Sequence, residues 1–278
     1  MSILSFSGIV FAISILAGFL GALTGLGGGV IVTPVLTLLL GVDLHYAMGA
    51  SLVSVIATSS GAAAAYVREG YSNIRVGMFL EVATTLGAVG GAFLMSAVPV
   101  GALAMVFGLV LLYSAWQALH EPESHEGRVA DPLAEKLRLN NTYPSPQGLI
   151  HYAVTRVKAG FALMIGAGVL SGLLGIGSGA MKVIAMDRVM RIPFKVSTTT
   201  SNFMIGVTAA ASAGIYLSKG FIAPGLAMPV MLGVLAGSLT GARLLAGAKP
   251  HALRRVFAAV IALLAIEMIH NGVTKGFK

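Results

Sequence analysis

Two short stretches carry the residues that could do chemistry in this chain: LTGLGGGV at 23–30 and LLGIGSGA at 173–180. Each sets glycines into an apolar run and follows them with a short apolar segment. A helix that restarts after such a break presents free backbone N–H groups and the positive end of its dipole, a ready site for an anion. After each short segment comes a polar start to the next one, with Ser51 and Ser54 in the first case and Ser197 to Asn202 in the second. The Asn202 amide and the neighbouring hydroxyls offer donors to an anion without a charge to desolvate. Interhelical hydrogen bonding and helix capping are the structural alternative for the hydroxyls, and close helix packing is the alternative for glycines spaced as Gly21-x-x-x-Gly25.

The elements around these stretches belong in a membrane. The 278 residues are 56% hydrophobic and 10% charged, with a mean hydropathy of +0.90, against roughly 25% charged residues in a soluble domain. Apolar segments lie at 5–24, 29–40, 47–67, 76–97, 100–119, 159–173, 180–190, 196–217, 225–246 and 252–269. Several have the length a helix needs to cross the hydrocarbon core, and the alternation of a transmembrane β-barrel is missing. The start of the chain lacks the basic region and cleavage site of a signal peptide, so it is expected to be retained. The excess of 8 positive charges sits at segment ends rather than on one face, which reads as topology and not as a nucleic-acid surface.

The two halves correspond at a constant offset of 150: Gly25, Gly27 and Gly29 with Gly175, Gly177 and Gly179, Ser51 with Ser201, Tyr66 with Tyr216, and Gly91 with Gly241. Residues 1–119 and 157–278 are therefore expected to be membrane repeats, joined by a hydrophilic linker over 120–156 with a short surface helix around 131–139. The basic residues decide their orientation. If each glycine-broken segment crosses once, the two sides receive 10 and 8 basic residues; if each goes in and returns, they receive 15 and 3. The positive-inside rule selects the second arrangement. It predicts an all-α polytopic membrane protein of two inverted-topology repeats, each a glycine-broken helical hairpin plus three transmembrane helices. The linker is then cytoplasmic and both termini lie outside. Inverted repeats with broken helices bring the breaks together near the midplane, where secondary transporters bind substrate.

Catalysis finds no support. There is no cysteine, the six histidines lie in loops or at segment ends without metal-ligand spacing, and no Ser/His/Asp or paired-carboxylate set falls inside the segments. Gly175-x-Gly177-x-x-Ala180 matches a dinucleotide fingerprint only by chance, since no strand precedes it. No cofactor is expected, and the expected partners are a small anion and the lipid bilayer. Among charged residues near the membrane, Lys182 is the cation closest to a break, with snorkelling to the surface as its alternative role, while Glu81 and Glu267 are candidate proton carriers.

The stretches GFLGALTGLGGGVIVTPVL, GVLSGLLGIGSGAMKV and IPFKVSTTTSNFMIGVTAAAS, the last followed by Tyr216 and Gly220, resemble the TauE/SafE sulfite exporter family. The resemblance spans nearly the whole chain apart from the linker. It implies a permease of the inner membrane that moves sulfite or small organosulfonates, most often outward. Carried over by position, it implies substrate contacts at Gly25, Gly27, Gly28 and Gly29, at Ser51, at Gly175, Gly177, Ser178 and Gly179, and at Thr200, Ser201 and Asn202. Leu52 stands where the second half has Asn202, so the site is expected to be asymmetric. A carrier or channel for another small anion, and a non-transporting subunit anchored in the membrane, remain open readings.

Overall fold

The computed structural model describes residues 3–24, 27–68, 70–119, 130–145, 148–245 and 250–274. Eleven helices and one hairpin follow in chain order among them: α1 (Ile3–Thr24), α2 (Gly29–Leu38), α3 (Leu44–Arg68), α4 (Ile74–Leu94), α5 (Val100–Leu119), α6 (Pro132–Lys136), β1 (Asn141–Ser145), β2 (Gly148–Tyr152), α7 (Val157–Leu174), α8 (Gly179–Ile184), α9 (Phe194–Ser218), α10 (Pro224–Leu245) and α11 (Pro250–Thr274). The apolar segments return as helices whose ends differ by a few residues, as frayed or capped ends do. The clearest difference is at α8, which closes after six residues into a π turn over Ala185–Val189.

Five helices among the described residues are long and apolar enough to span a bilayer, namely α1, α4, α5, α7 and α10. The chain is a mostly helical multi-pass membrane protein. Helix α4 shows why such a helix is stable in lipid. Its outward stripe is Met78, Val82, Leu86 and Phe93, whereas Gly77, Glu81, Thr84, Gly87 and Gly91 are buried. Apolar area faces the solvent that tolerates it, and small or polar residues face protein.

Glycine decides which helices pair. Gly87 and Gly91 of α4 lie against the backbone at Ile165 and Val169 of α7, and Gly168 and Gly172 of α7 lie against Thr84 and Ala88 of α4. Gly233, Gly237 and Gly241 of α10 do the same against Phe11, Ile15 and Phe19 of α1. In both pairs the contacts advance together, so the partners run in the same direction, backbone close to backbone as small residues four apart permit. Helices α5 and α11 run oppositely, with Gly101 against Gly272 and Gly108 against Ala265 and Ile269. So do α3 and α9 at the centre, where the Ser59 hydroxyl donates to the Asn202 carbonyl at 2.5 Å and accepts from the Gly206 N–H at 3.2 Å.

The described part of the linker is more ordered than a loop. Asp131 caps α6 by accepting from the Leu133 N–H at 2.9 Å, and its second oxygen accepts from the Val157 N–H at 3.0 Å, so one carboxylate starts two helices. Strands β1 and β2 pair antiparallel, with Asn141 opposite Tyr152 and Tyr143 opposite Ile150. The sequence expectation placed a hydrophilic loop here. The hairpin forms because Leu139, Tyr152 and Val154 find a membrane-protein surface to bury against, formed by Val76, Leu80, Met186, Met190 and Val196. Asn73 fastens the assembly: its amide donates to the Leu139 carbonyl at 2.9 Å and the Tyr152 hydroxyl at 2.8 Å, while its oxygen accepts from the Val76 N–H at 3.1 Å and caps α4.

Asn73→Ala removes a helix cap and two buried donors, each worth roughly 1 kcal/mol. Trypsin is expected to cut at exposed Lys136 and Arg138 about ten-fold faster in this variant, as local unfolding becomes easier; an unchanged cleavage rate would show that Asn73 does not hold the linker. Burial pushes the Tyr152 phenol up to about 12, against a smaller lowering from the Asn73 hydrogen bond. Because the folded state holds this proton more tightly than the unfolded chain, the contribution is complete below the ordinary tyrosine range near 10 and is lost as pH rises through about 12. Ultraviolet titration of wild type against Tyr152→Phe should show one tyrosinate missing from the high-pH end.

Candidate functional site

The site is built on the two breaks. Helix α1 ends at Thr24, and α2 begins where the Gly28 carbonyl accepts from the N–H groups of Ile31 and Val32, both at 3.1 Å. Gly25 lies outside the described residues. In the second half α7 ends at Leu174, and α8 begins with the Lys182 N–H donating to the Ser178 carbonyl at 3.1 Å. Gly27 and Gly177 have φ of +81° and +74°, conformations that favour glycine. A β-carbon on Gly177 would lie 2.7 Å from Ile205 Cγ2 and 2.8 Å from Val55 Cγ1; one on Gly27 would touch the same two residues at 3.8 Å. The two breaks therefore meet at the crossing of α3 and α9.

Matching serines hold both breaks in place. The Ser51 hydroxyl donates to the Gly29 carbonyl at 3.1 Å, and the Ser201 hydroxyl donates to the Gly179 carbonyl at 3.2 Å. Their hydrogens are committed to the backbone, so in this conformation both serines position the breaks rather than offer donors. Thr200 turns to another face of α9, where its hydroxyl accepts from the Asn73 N–H at 3.0 Å. Ser178 and Asn202 differ from these. Both are buried, and the Ser178 hydroxyl and the Asn202 amide nitrogen have no hydrogen-bond partner among the described residues. Ser178 also holds a φ of +49°, which a non-glycine residue adopts at a cost.

The charged residues are not where a surface reading would put them. Lys182 is fully buried instead of snorkelling, and Glu81 is buried with it rather than lying near an interface. The ammonium is 3.6 Å from Glu81 Oε2 and donates to the Thr208 hydroxyl, which in turn donates to Glu81 Oε1 at 2.5 Å. The Thr85 hydroxyl donates to the same Oε1 at 3.2 Å. Oε2 has no hydrogen-bond partner among the described residues. Lys182 stands one turn into α8, and helical side chains lean back toward the N-terminus. Thr208 stands one turn beyond Ile205, the residue that touches Gly177. The ion pair thus lies beside the second break. Glu267 is exposed on α11 and takes no part in this group.

Thr208, Thr84 and Thr85 were not singled out from the sequence. A signal existed: Thr208 lies seven residues after Ser201 on the helix face that meets the second break, and Thr85 lies four after Glu81. The offset of 150 also makes the group one-sided. Opposite Lys182, Glu81, Ser178, Asn202 and Thr84 stand Val32, Met231, Gly28, Leu52 and Val234, and only Thr208 keeps its type, as Thr58.

The sulfite exporter TauE/SafE family model matches residues 10–268. The chain belongs to this family. Its relatives include the probable membrane transporter protein YdhB of Bacillus subtilis (strain 168), 30% identical over 84% of this chain and 87% of that one. YunE of the same organism, another probable membrane transporter protein, is 23% identical over 95% and 98% of the two chains. A probable membrane transporter protein of Xylella fastidiosa (strain 9a5c) is 28% identical over 91% of each. No solved structure matches the chain. As a TauE/SafE protein it is a membrane transporter and not an enzyme.

Within the TauE/SafE fold the buried pair makes a stability prediction. Removing one partner of a buried ion pair costs about 3–5 kcal/mol, whereas replacing both with apolar residues is often nearly neutral. Lys182→Met should lower the unfolding midpoint in detergent markedly, and the double variant Lys182→Met/Glu81→Met should recover most of the loss. A double variant as unstable as the single one would mean that the charges are not each other's main partners.

Proposed function

We propose that the chain is a secondary transporter of a small sulfur oxyanion, sulfite or an organosulfonate, exported from the cell and bound where the two glycine breaks meet. The observation that carries this reading is the pair of buried donors at the second break, the Ser178 hydroxyl and the Asn202 amide, without protein partners among the described residues. A buried unpaired donor costs about 1–3 kcal/mol and is retained where something else uses it. An oxyanion has only acceptors. It would complete both donors and meet the backbone N–H groups of Gly27 to Gly29 and Gly177 to Gly179, with Gly175 shaping the approach to the second break. Ser51 and Ser201 hold that backbone, Thr200 fixes the orientation of α9, and Lys182 with Glu81 supplies charge. The family name supplies sulfur; the relatives' names say only that they are membrane transporters.

Alternating access in this reading rests on inverted repeats over 1–119 and 157–278. Their support is the packing itself: elements related by the offset of 150 run oppositely in the pairs α5 with α11 and α3 with α9, while α1 with α10 and α4 with α7 are equivalent contacts exchanged between the halves. The charge asymmetry of 15 against 3 basic residues supports a cytoplasmic linker and both termini outside an inner membrane. Export in this reading runs down the anion's own concentration gradient, as in a secondary transporter.

The test is counterflow of radiolabelled sulfite in proteoliposomes, with thiosulfate, sulfoacetate, acetate and sulfate as competitors. Asn202→Leu and Ser178→Gly copy the first half at equivalent positions and should each raise the half-saturating concentration about ten-fold, the worth of one oriented hydrogen bond. Unchanged saturation in both variants would remove these donors from the site. Exchange of another anion but not sulfite would keep the transporter and replace its substrate.

A further inference from the structure

Glu81 is placed as no structural carboxylate needs to be. An ionised buried carboxylate normally accepts donors on both oxygens. Here Oε1 receives the Thr208 and Thr85 hydroxyls, while Oε2 meets only the Lys182 ammonium at 3.6 Å, beyond hydrogen-bond distance. Lys182 in turn has its charge beside the break where the anion is proposed to bind. Two negative groups then compete for one ammonium at membrane depth, where an unneutralised charge is costly.

We infer that Glu81 carries the coupling proton, taken up on Oε2 when the transported anion takes over Lys182, so that one proton moves with each anion. This rests on the anion-transport reading above. With no substrate, the Glu81 carboxylate neutralises Lys182. When the oxyanion pairs with the ammonium, the carboxylate is left without its counter-charge and binds one proton from the water on the side then open, forming a single O–H bond. On the other side the anion leaves, the O–H bond breaks, the proton goes to water and the ion pair re-forms. Thr208 keeps the two side chains in register, accepting from Lys182 and donating to Oε1 throughout.

The other charged groups on the elements around Glu81 do not compete for this role. Arg75 is in the first turn of α4 and Lys158 in the first turn of α7. On α9, Lys195 lies over the Tyr71 ring and Lys219 donates to the Phe93 carbonyl and Ser96 at the opposite end. Asp187 and Arg188 lie in the π turn beyond α8, with the Arg188 guanidinium over Trp116. Lys182 is the ionised group that the structure puts within 4 Å of the Glu81 carboxylate among the described residues. The positions equivalent to Glu81 and Lys182 in the opposite halves hold Met231 and Val32, so one carboxylate, not two, sets the stoichiometry.

The experiment measures anion and proton fluxes together in proteoliposomes loaded with a pH-sensitive dye, using radiolabelled thiosulfate, sulfoacetate and sulfite with protein-free vesicles as blanks. For whichever anion exchanges, wild type should move one proton per anion and accumulate the anion when the opposite side is made acidic. Glu81→Gln should exchange more slowly, with the proton ratio falling to zero and the pH-driven accumulation lost. Glu81→Asp should restore part of the ratio, and Glu267→Gln should keep the wild-type value. Anion flux without protons in wild type overturns the inference whether or not any variant folds, and so does an undiminished ratio in Glu81→Gln. If none of the three anions exchanges in folded wild-type protein, the substrate reading fails first and this coupling fails with it.

Discussion

Backbone that leaves helical geometry inside a membrane has to be satisfied by protein, and this chain does it twice at one place. Ser51 takes the Gly29 carbonyl and Ser201 takes the Gly179 carbonyl, 3.1 and 3.2 Å away. Those two bonds hold the starts of α2 and α8 against α3 and α9, where both breaks meet Val55 and Ile205. The peripheral helices follow from the same need. Helices α1 and α7 are held by partners from the other half, and the glycines of α4, α7 and α10 allow that approach to the backbone itself.

Against this symmetric frame the polar chemistry is one-sided. A frame can be duplicated, because helix pairing by small residues works equally well in both copies. The buried polar group need not be. Buried charge in a membrane is expensive, and a second Lys–Glu pair would add that cost without adding a second substrate. The second half accordingly holds the lysine, the asparagine and the serine, and recruits Glu81 from the first half through the packing of α4 on α7 and α9. The linker adds a further asymmetry. It packs on α4, α7, the π turn and α9 and is anchored through Asn73.

Membrane class, helix positions and the paired glycine breaks were legible from the sequence because they depend on local quantities: apolar length, the scarcity of charge, and glycine where the chain must adopt positive φ. The offset of 150 made Ser51 and Ser201 equivalent before any contact was known, and both turn out to do the same work. Asn202 stood out by type alone, and its amide is one of the unpartnered donors. Locality also marks where legibility ended. Lys182, three residues past Gly179, had two possible directions, the surface or the interior, and nothing within its own helix distinguishes them. The partner that decides is 101 positions earlier in the chain.

The linker shows the same limit from the other side: residues 141–145 and 148–152 form strands because a hydrophobic floor from α4, the π turn and α9 lies beneath them, and composition alone reads as loop. By itself, then, the sequence determined that this is a helical membrane transporter of the TauE/SafE kind, with two broken hairpins and unequal polar content between its halves. Only the tertiary structure decided which of the polar residues are spent on the frame, as Ser51, Thr200 and Ser201 are, and which keep a donor without a partner among the described residues, as Ser178 and Asn202 do. It also turned Glu81, Lys182 and Thr208 from scattered residues into one group. Burial and hydrogen-bond partnership are properties of pairs of segments, and no stretch of sequence contains them.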